Sequence, residues 1–171
     1  KILLLALIVG VSFDSIAQSN RFEAGIAAMK RGRFAVAYRS WLPLAEAGMP
    51  EAQLNLGSLF QNGQGVDVDL ERALYWYEQA AASDLSEAHL NSGIMYLEGL
   101  GIEKNEEKAL EKFKLSSERG LPAGDFMLGK MLFYGLSVEQ DKTAARALFL
   151  KAARNGNAEA QFAYAVLAQS G

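Results

Sequence analysis

The sequence predicts an all-α protein, an α-solenoid of antiparallel helix pairs that repeat every 36 residues. Three observations carry this. Residue types recur in register: Gly57, Gly93 and Gly129 lie 36 apart, as do Gly63, Gly99, Gly135 and Gly171. Ala73, Ala109 and Ala145 form a further column, as do Tyr77, Phe113 and Phe149. Each period holds two segments with apolar residues at helical spacing. Leucine and alanine dominate these segments while β-branched residues are sparse, which favours helix over strand.

The first seventeen residues stand apart. One lysine precedes an apolar run from Ile2 to Phe13, followed by DSIAQ, with Ser15 and Ala17 at the two positions a signal peptidase reads. Residues 1–17 are expected to be a secretory signal cleaved after Ala17. The rival reading is an uncleaved membrane anchor, against which the run counts because it is well short of the roughly 20 apolar residues that span a bilayer; no transmembrane span is expected after cleavage. Lipid attachment at a cysteine is ruled out because the chain has none.

Residues 18–48 read as a variant helix pair. Ala37, Trp41, Ala45 and Gly48 match the later columns, but the turn around Lys30 to Arg33 is shorter by four residues. Gly25 accordingly precedes Gly57 by 32 residues. The next units are 49–84, 85–120 and 121–156, and 157–171 is a partial repeat or C-terminal cap. In the first unit, Ala52, Leu56, Gly57 and Phe60 share one face of a first helix. Leu70, Ala73, Leu74, Tyr77 and Ala81 share one face of a second. Small residues at Gly57, Gly93 and Gly129 allow the paired helix to approach closely. Gly48, Gly120 and Gly156 fall where second helices end, with Asp84 in the remaining slot, and glycine accepts the left-handed conformation of such a cap. Pro50 and Pro122 follow at the first helical position, where a missing N–H costs nothing. A helix pair of this size cannot bury its own apolar face and must stack on its neighbours.

The stretch NGQGVDVD, 62–69, resembles a ligand loop, with two glycines and two aspartates at alternate positions. The other copies, EGLGIEKN and YGLSVEQD, argue for a turn. Gly63 stays glycine, as a left-handed helix end requires; Val66 stays branched and apolar, which pins the turn. Asp69 becomes Asn105 and Asp141, residue types that cap a helix N-terminus. The twelve-residue calcium loop, with glycine at its sixth position and glutamate at its twelfth, is not present, and no strand precedes the glycines as a phosphate loop requires.

The columns AxxxLGxxF, NGQGV and ALYWYEQAA strongly resemble the Sel-1-like repeat family, relatives of the tetratricopeptide repeats, over about residues 21–171. The resemblance implies a right-handed superhelix in which the first helix of each pair lines a concave groove. It also implies an adaptor role, typical of exported family members in the bacterial envelope. Departures from the pattern are Asp84 and Ser137 in place of glycine, and Ser116 and Ser117 in place of alanine pairs.

Chemistry is sparse. His89, the single histidine, belongs to the column Gln53, His89, Asp125, Gln161 and is expected to be a solvated groove residue. No histidine or cysteine partner is present for a metal site, no nucleophile motif occurs, and no cofactor is expected. Glu78, Glu106, Glu107, Glu111 and Glu118 lie among lysines and arginines, as on a solvated face. The net charge is −3 with signs interspersed, so nucleic acid is not an expected partner.

Partner binding is left. By the family's pattern, positions three before and one after the column glycine face the groove, with one more a turn further on. These give Phe22, Ile26, Leu54, Ser58, Gln61, Leu90, Ile94, Leu97, Phe126, Lys130, Phe133 and Phe162, with Met29 and Val166 on the same rows. About half of this set is expected to pack in the core. Trp76 is expected as an exposed contact on a second helix. The leading expectation is a periplasmic or secreted adaptor that binds a partner peptide or helix and is not an enzyme. The alternatives are a peptidoglycan or glycan binder stacking sugars on Trp76, Phe133 and Tyr134, or a β-lactam or cell-wall hydrolase.

Overall fold

A computed structural model describes the backbone of residues 2–169 and the side chains of residues 15–169. Most of the expected signal, and Gly171 of the glycine columns, therefore lie outside the residues described in full. Among the described residues there are nine helices: α1 (Ile2–Lys30), α2 (Phe34–Glu46), α3 (Pro50–Asn62), α4 (Leu70–Ala82), α5 (Ser86–Glu98), α6 (Glu106–Glu118), α7 (Pro122–Tyr134), α8 (Lys142–Arg154) and α9 (Ala158–Gln169). No described helix is long and apolar enough to cross a membrane. The chain packs as two units, 1–76 and 77–171, with the division inside α4.

The expected punctuation is present. Gly63, Gly99 and Gly135 end α3, α5 and α7 at φ of 65°, 71° and 69°. Asp69, Asn105 and Asp141 each accept a hydrogen bond from the backbone N–H three residues on, at 2.8–2.9 Å. Pro50 and Pro122 open α3 and α7. The turns 63–69, 99–105 and 135–141 hold seven residues each, against three in 31–33, which is the four-residue difference read from the sequence. Val66 packs against the first unit's core, whereas Ile102 in the same column is 40% exposed and pins its turn less.

Within unit 1, α2 packs on α1 and α3. The core is Ala28, Ala37, Trp41, Leu44, Ala45, Ala52, Leu56 and Leu59. Gly25 lies flat under the Trp41 ring; any Cβ there would overlap the indole, whose Nε1–H donates to the Phe22 carbonyl at 3.2 Å. Residues 15–20 of α1 are exposed, and the packed part of the helix begins at Phe22.

Within unit 2, each of α5 to α9 packs on the next. The seam between paired helices repeats one solution. A Cβ on Gly93 would sit 2.7 Å from Phe113, and one on Gly129 2.7 Å from Phe149, so the aromatic ring fills the space that glycine leaves. Both rings are buried.

The polar column of the first helices corrects the expectation for His89. Gln53, His89 and Asp125 are buried, at 6%, 5% and 1% exposure, and His89 is not a solvated groove residue. These side chains tie each first helix back to the end of the preceding second helix. Gln53 Nε2–H donates to the Ala45 carbonyl at 3.0 Å, and Gln161 Nε2–H to that of Ala153 at 3.1 Å. A carboxylate cannot donate, so where Asp125 replaces glutamine, Ser117 replaces alanine and its hydroxyl donates to Asp125 Oδ1 at 2.5 Å. Lys151 donates to the same oxygen at 2.8 Å. Where histidine replaces glutamine, the departure is Asp84: its carboxylate lies 3.3 Å from His89 Nε2 and pairs with Arg119. The hydrogen bond from Arg119, helped by His89 and opposed by partial desolvation, holds the Asp84 carboxyl below its ordinary value. Asp84 also occupies the left-handed slot of its column, at φ 65°. Ser116 is matched likewise, since its extra oxygen faces Gly124, which stands where Ala52, Ala88 and Ala160 stand in other copies.

Glu78 departs from the solvated reading of the carboxylates as well. It is partly buried and accepts from Lys112 Nζ at 2.7 Å. Burial, with Glu78 and Glu111 nearby, pushes the Tyr96 phenol above its ordinary value.

Candidate functional site

Each expected groove residue lies on a first helix with its side chain part-exposed, and none is fully buried; the expectation that half are core is corrected. The reason is the 3.6-residue period, which turns positions three before and one after the column glycine away from the seam. In unit 1, Phe22 and Ile26 of α1 are half-buried against the core cluster, and Leu54, Ser58 and Gln61 are half-buried on α3. Ser58 accepts from Asn62 at 3.2 Å. In unit 2, Leu90, Ile94 and Leu97 are half-buried on α5, Phe126, Lys130 and Phe133 on α7, and Phe162 on α9 is 73% exposed.

Trp76 is corrected. It is half-buried against the first unit's core. The exposed ring beside it is Tyr75, at 55%, which meets Trp76 edge to face with centroids 5.0 Å apart. Its column varied among copies and therefore read as surface, but a tryptophan is large enough to cover a core from its edge.

Four expected residues converge on one open pocket. Phe126, Lys130 and Phe133 of α7 and Phe162 of α9 line a volume of about 260 Å³, completed by Tyr134, Phe149, Ala163, Val166 and Leu167. The lining is apolar apart from the Lys130 ammonium and the Tyr134 hydroxyl. Phe149 reaches it from the buried seam, with its ring 5.6 Å from Phe126 and 6.4 Å from Phe133. One side chain thus locks α8 against Gly129 and forms the pocket's floor. Phe133 and Tyr134 meet edge to face at 5.1 Å, and Tyr134 is 63% exposed. The Lys130 ammonium lies 5.8 Å from the Phe126 centroid, and that of Lys142 lies 5.7 Å from Phe133. Ala163 and Leu167 were outside the sequence reading, because it counted only positions three before, one after and one turn beyond the column residue, which is Ala165 on α9.

A close-packed seam carrying an open apolar face defines a helix-pair repeat scaffold. The comparisons give that class its family. The family model described as Sel1 repeat matches residues 50–85, 86–121 and 122–157. The chain belongs to the Sel1 repeat family, whose repeats build scaffolds for protein–protein interaction. Its structure is similar to that of a Sel1 repeat protein from Oxalobacter formigenes, with a TM-score of 0.73 and 30% identity, over 77% of this chain and 52% of that one. It is also similar to c5321, a protective antigen of uropathogenic Escherichia coli strains displaying an SLR fold. The TM-score there is 0.80 at 30% identity, over 88% of this chain and 33% of the other. A curated relative is the chitin synthase regulator SKT5 of Saccharomyces cerevisiae, 42% identical over 48 residues, which are 28% of this chain and 7% of that protein. The chain thus spans about half or less of each relative's length.

Proposed function

We propose that this chain is an exported adaptor of the bacterial envelope that holds a segment of another protein on the open face of its first helices. The observation that carries the reading is the α7–α9 pocket, where four side chains chosen by register line one apolar cleft. Open apolar surface of this kind gains free energy by burial, and a few aromatic anchors commonly supply most of it. Its likeness to the protective antigen of uropathogenic Escherichia coli is in keeping with a role outside the cytoplasm, as is the expected signal at residues 1–17.

The test is affinity capture from envelope extract with the chain from Gln18 as bait, beside a Phe162→Ser bait. Phe162 is the right probe because it is 73% exposed, so its loss leaves the fold intact, whereas Phe126 also packs on Phe149. The expected result is a discrete partner that the variant does not retain, with unchanged far-ultraviolet circular dichroism. Equal capture by both baits would contradict the reading. Sedimentation with purified peptidoglycan is expected to leave the chain in the supernatant; pelleting would favour the glycan alternative. Export is checked by fusing residues 1–20 to a reporter that is active only outside the cytoplasm.

A further inference from the structure

The α7–α9 pocket carries a charge that its fold does not answer. Lys130 is the one charged residue in the lining, half-buried among Phe126, Phe133 and Phe162. Other copies of the repeat place Ser58, Ile94 and Val166 at this position, so the repeat architecture does not require a lysine there. Partly buried Lys112 is paired with Glu78, and Lys151 with Asp125. Among the described ion pairs Lys130 has none, and its ammonium lies over the face of Phe126. The acid of its own helix, Asp125, is buried and bound to Ser117 and Lys151. A second cation, Lys142, stands over the Phe133 ring that lines the pocket.

An ammonium on an apolar wall keeps part of its hydration and gains only the modest attraction of a ring face. A carboxylate arriving with an apolar side chain would meet it where water is already partly excluded, and there an ion pair is stronger than on open surface. The volume, about 260 Å³, is under the roughly 300–1,000 Å³ of sites that enclose small molecules, and fits a single anchor of a longer segment.

We propose that this pocket selects an acidic partner segment: a large apolar side chain enters between α7 and α9, and a neighbouring aspartate or glutamate of the same segment pairs with Lys130. This rests on the reading of the first-helix face as a partner site and adds the partner's chemistry. Like charge at the same point would be repelled, so the lysine rejects basic segments as well as favouring acidic ones.

Three fluorescein-labelled peptides test it by anisotropy: a leucine–phenylalanine core flanked by glutamates, a twin flanked by lysines, and a twin with the core replaced by serines. The chain is expected to bind the glutamate peptide at least about tenfold more tightly than the lysine twin at low salt, the preference shrinking as salt rises. The serine twin is expected not to bind. Lys130→Glu should reverse the preference and Lys130→Gln should abolish it. Equal binding of both apolar peptides, or a preference unchanged in the two variants, would overturn the charge selection. If Phe162→Ser still removed that binding, the partner-site reading would stand without it. Binding of all three peptides that ignores Phe162→Ser, or binding of none, would overturn both.

Discussion

Two faces of the same first helices follow opposite rules. On the seam, the residue choice repeats: Gly93 receives Phe113, Gly129 receives Phe149, and Gly25 receives Trp41 by the same geometry with a shorter turn. On the open face, one turn away, the choice drifts from copy to copy, as Ser58, Ile94, Lys130 and Val166 show. The difference teaches where each kind of constraint acts. A ring that must fill the space left by a missing Cβ tolerates few alternatives, because interiors are close-packed. A side chain facing an open cleft is constrained only by what it meets there. Repetition marks the architecture, and drift within an otherwise apolar row marks positions that the packing does not fix.

The comparison breaks most visibly at the seam. Phe113→Ala is expected to cost about 3–5 kcal/mol, the range for emptying a buried phenylalanine site. Urea denaturation followed by circular dichroism measures it. A loss below about 1 kcal/mol would mean that the seam collapses freely and is not the rigid element.

The polar tie sharpens the same contrast at a smaller scale. Ser117→Ala removes a donor from the buried Asp125 carboxylate and should cost about 1–3 kcal/mol. Adding Asp125→Gln should recover most of that loss, because glutamine would then donate to the residue 117 carbonyl as Gln53 does to Ala45. Lys151, whose side chain is half-exposed, returns to water at little cost. Independent, additive losses in the double mutant would show that the two departures are unrelated.

The smallest stability effect belongs to Asp84. Its folded-state carboxyl titrates below its ordinary value of 3.8. A depressed folded value stabilises the protein above the unfolded one and is lost as pH falls through the folded one. The advantage of the native chain over Asp84→Asn should thus be constant near neutral pH and shrink below about pH 4. Thermal melts at both pH values check this, and a difference that grows on acidification would reverse the sign.

Much of the molecule was legible because the repeat ties residue type to geometry. A left-handed helix end favours glycine, a helix start favours Asp or Asn, and a close seam needs glycine opposite a ring; each appears in register. The pocket was legible in part by the same counting, which selected Phe126, Lys130, Phe133 and Phe162. Burial of the polar column was not. A glutamine, histidine or aspartate reads as surface unless its partner is seen, and those partners lie across a helix junction. The signal was present as paired departures: Asp84 accompanies His89, and Ser117 accompanies Asp125, each within one junction. Trp76 was misplaced for a related reason, since variation down its column concealed that this one copy covers a core.

The proposed division of labour gives the fold to the seam and the partner to the open face. Phe162→Ser tests it most directly when urea stability and partner capture are measured on the same preparation. Stability should change by no more than about 0.5 kcal/mol, as for an exposed position, while capture is lost. A variant that unfolds more easily, or that captures the partner as well as the native chain does, would contradict the division between the two faces.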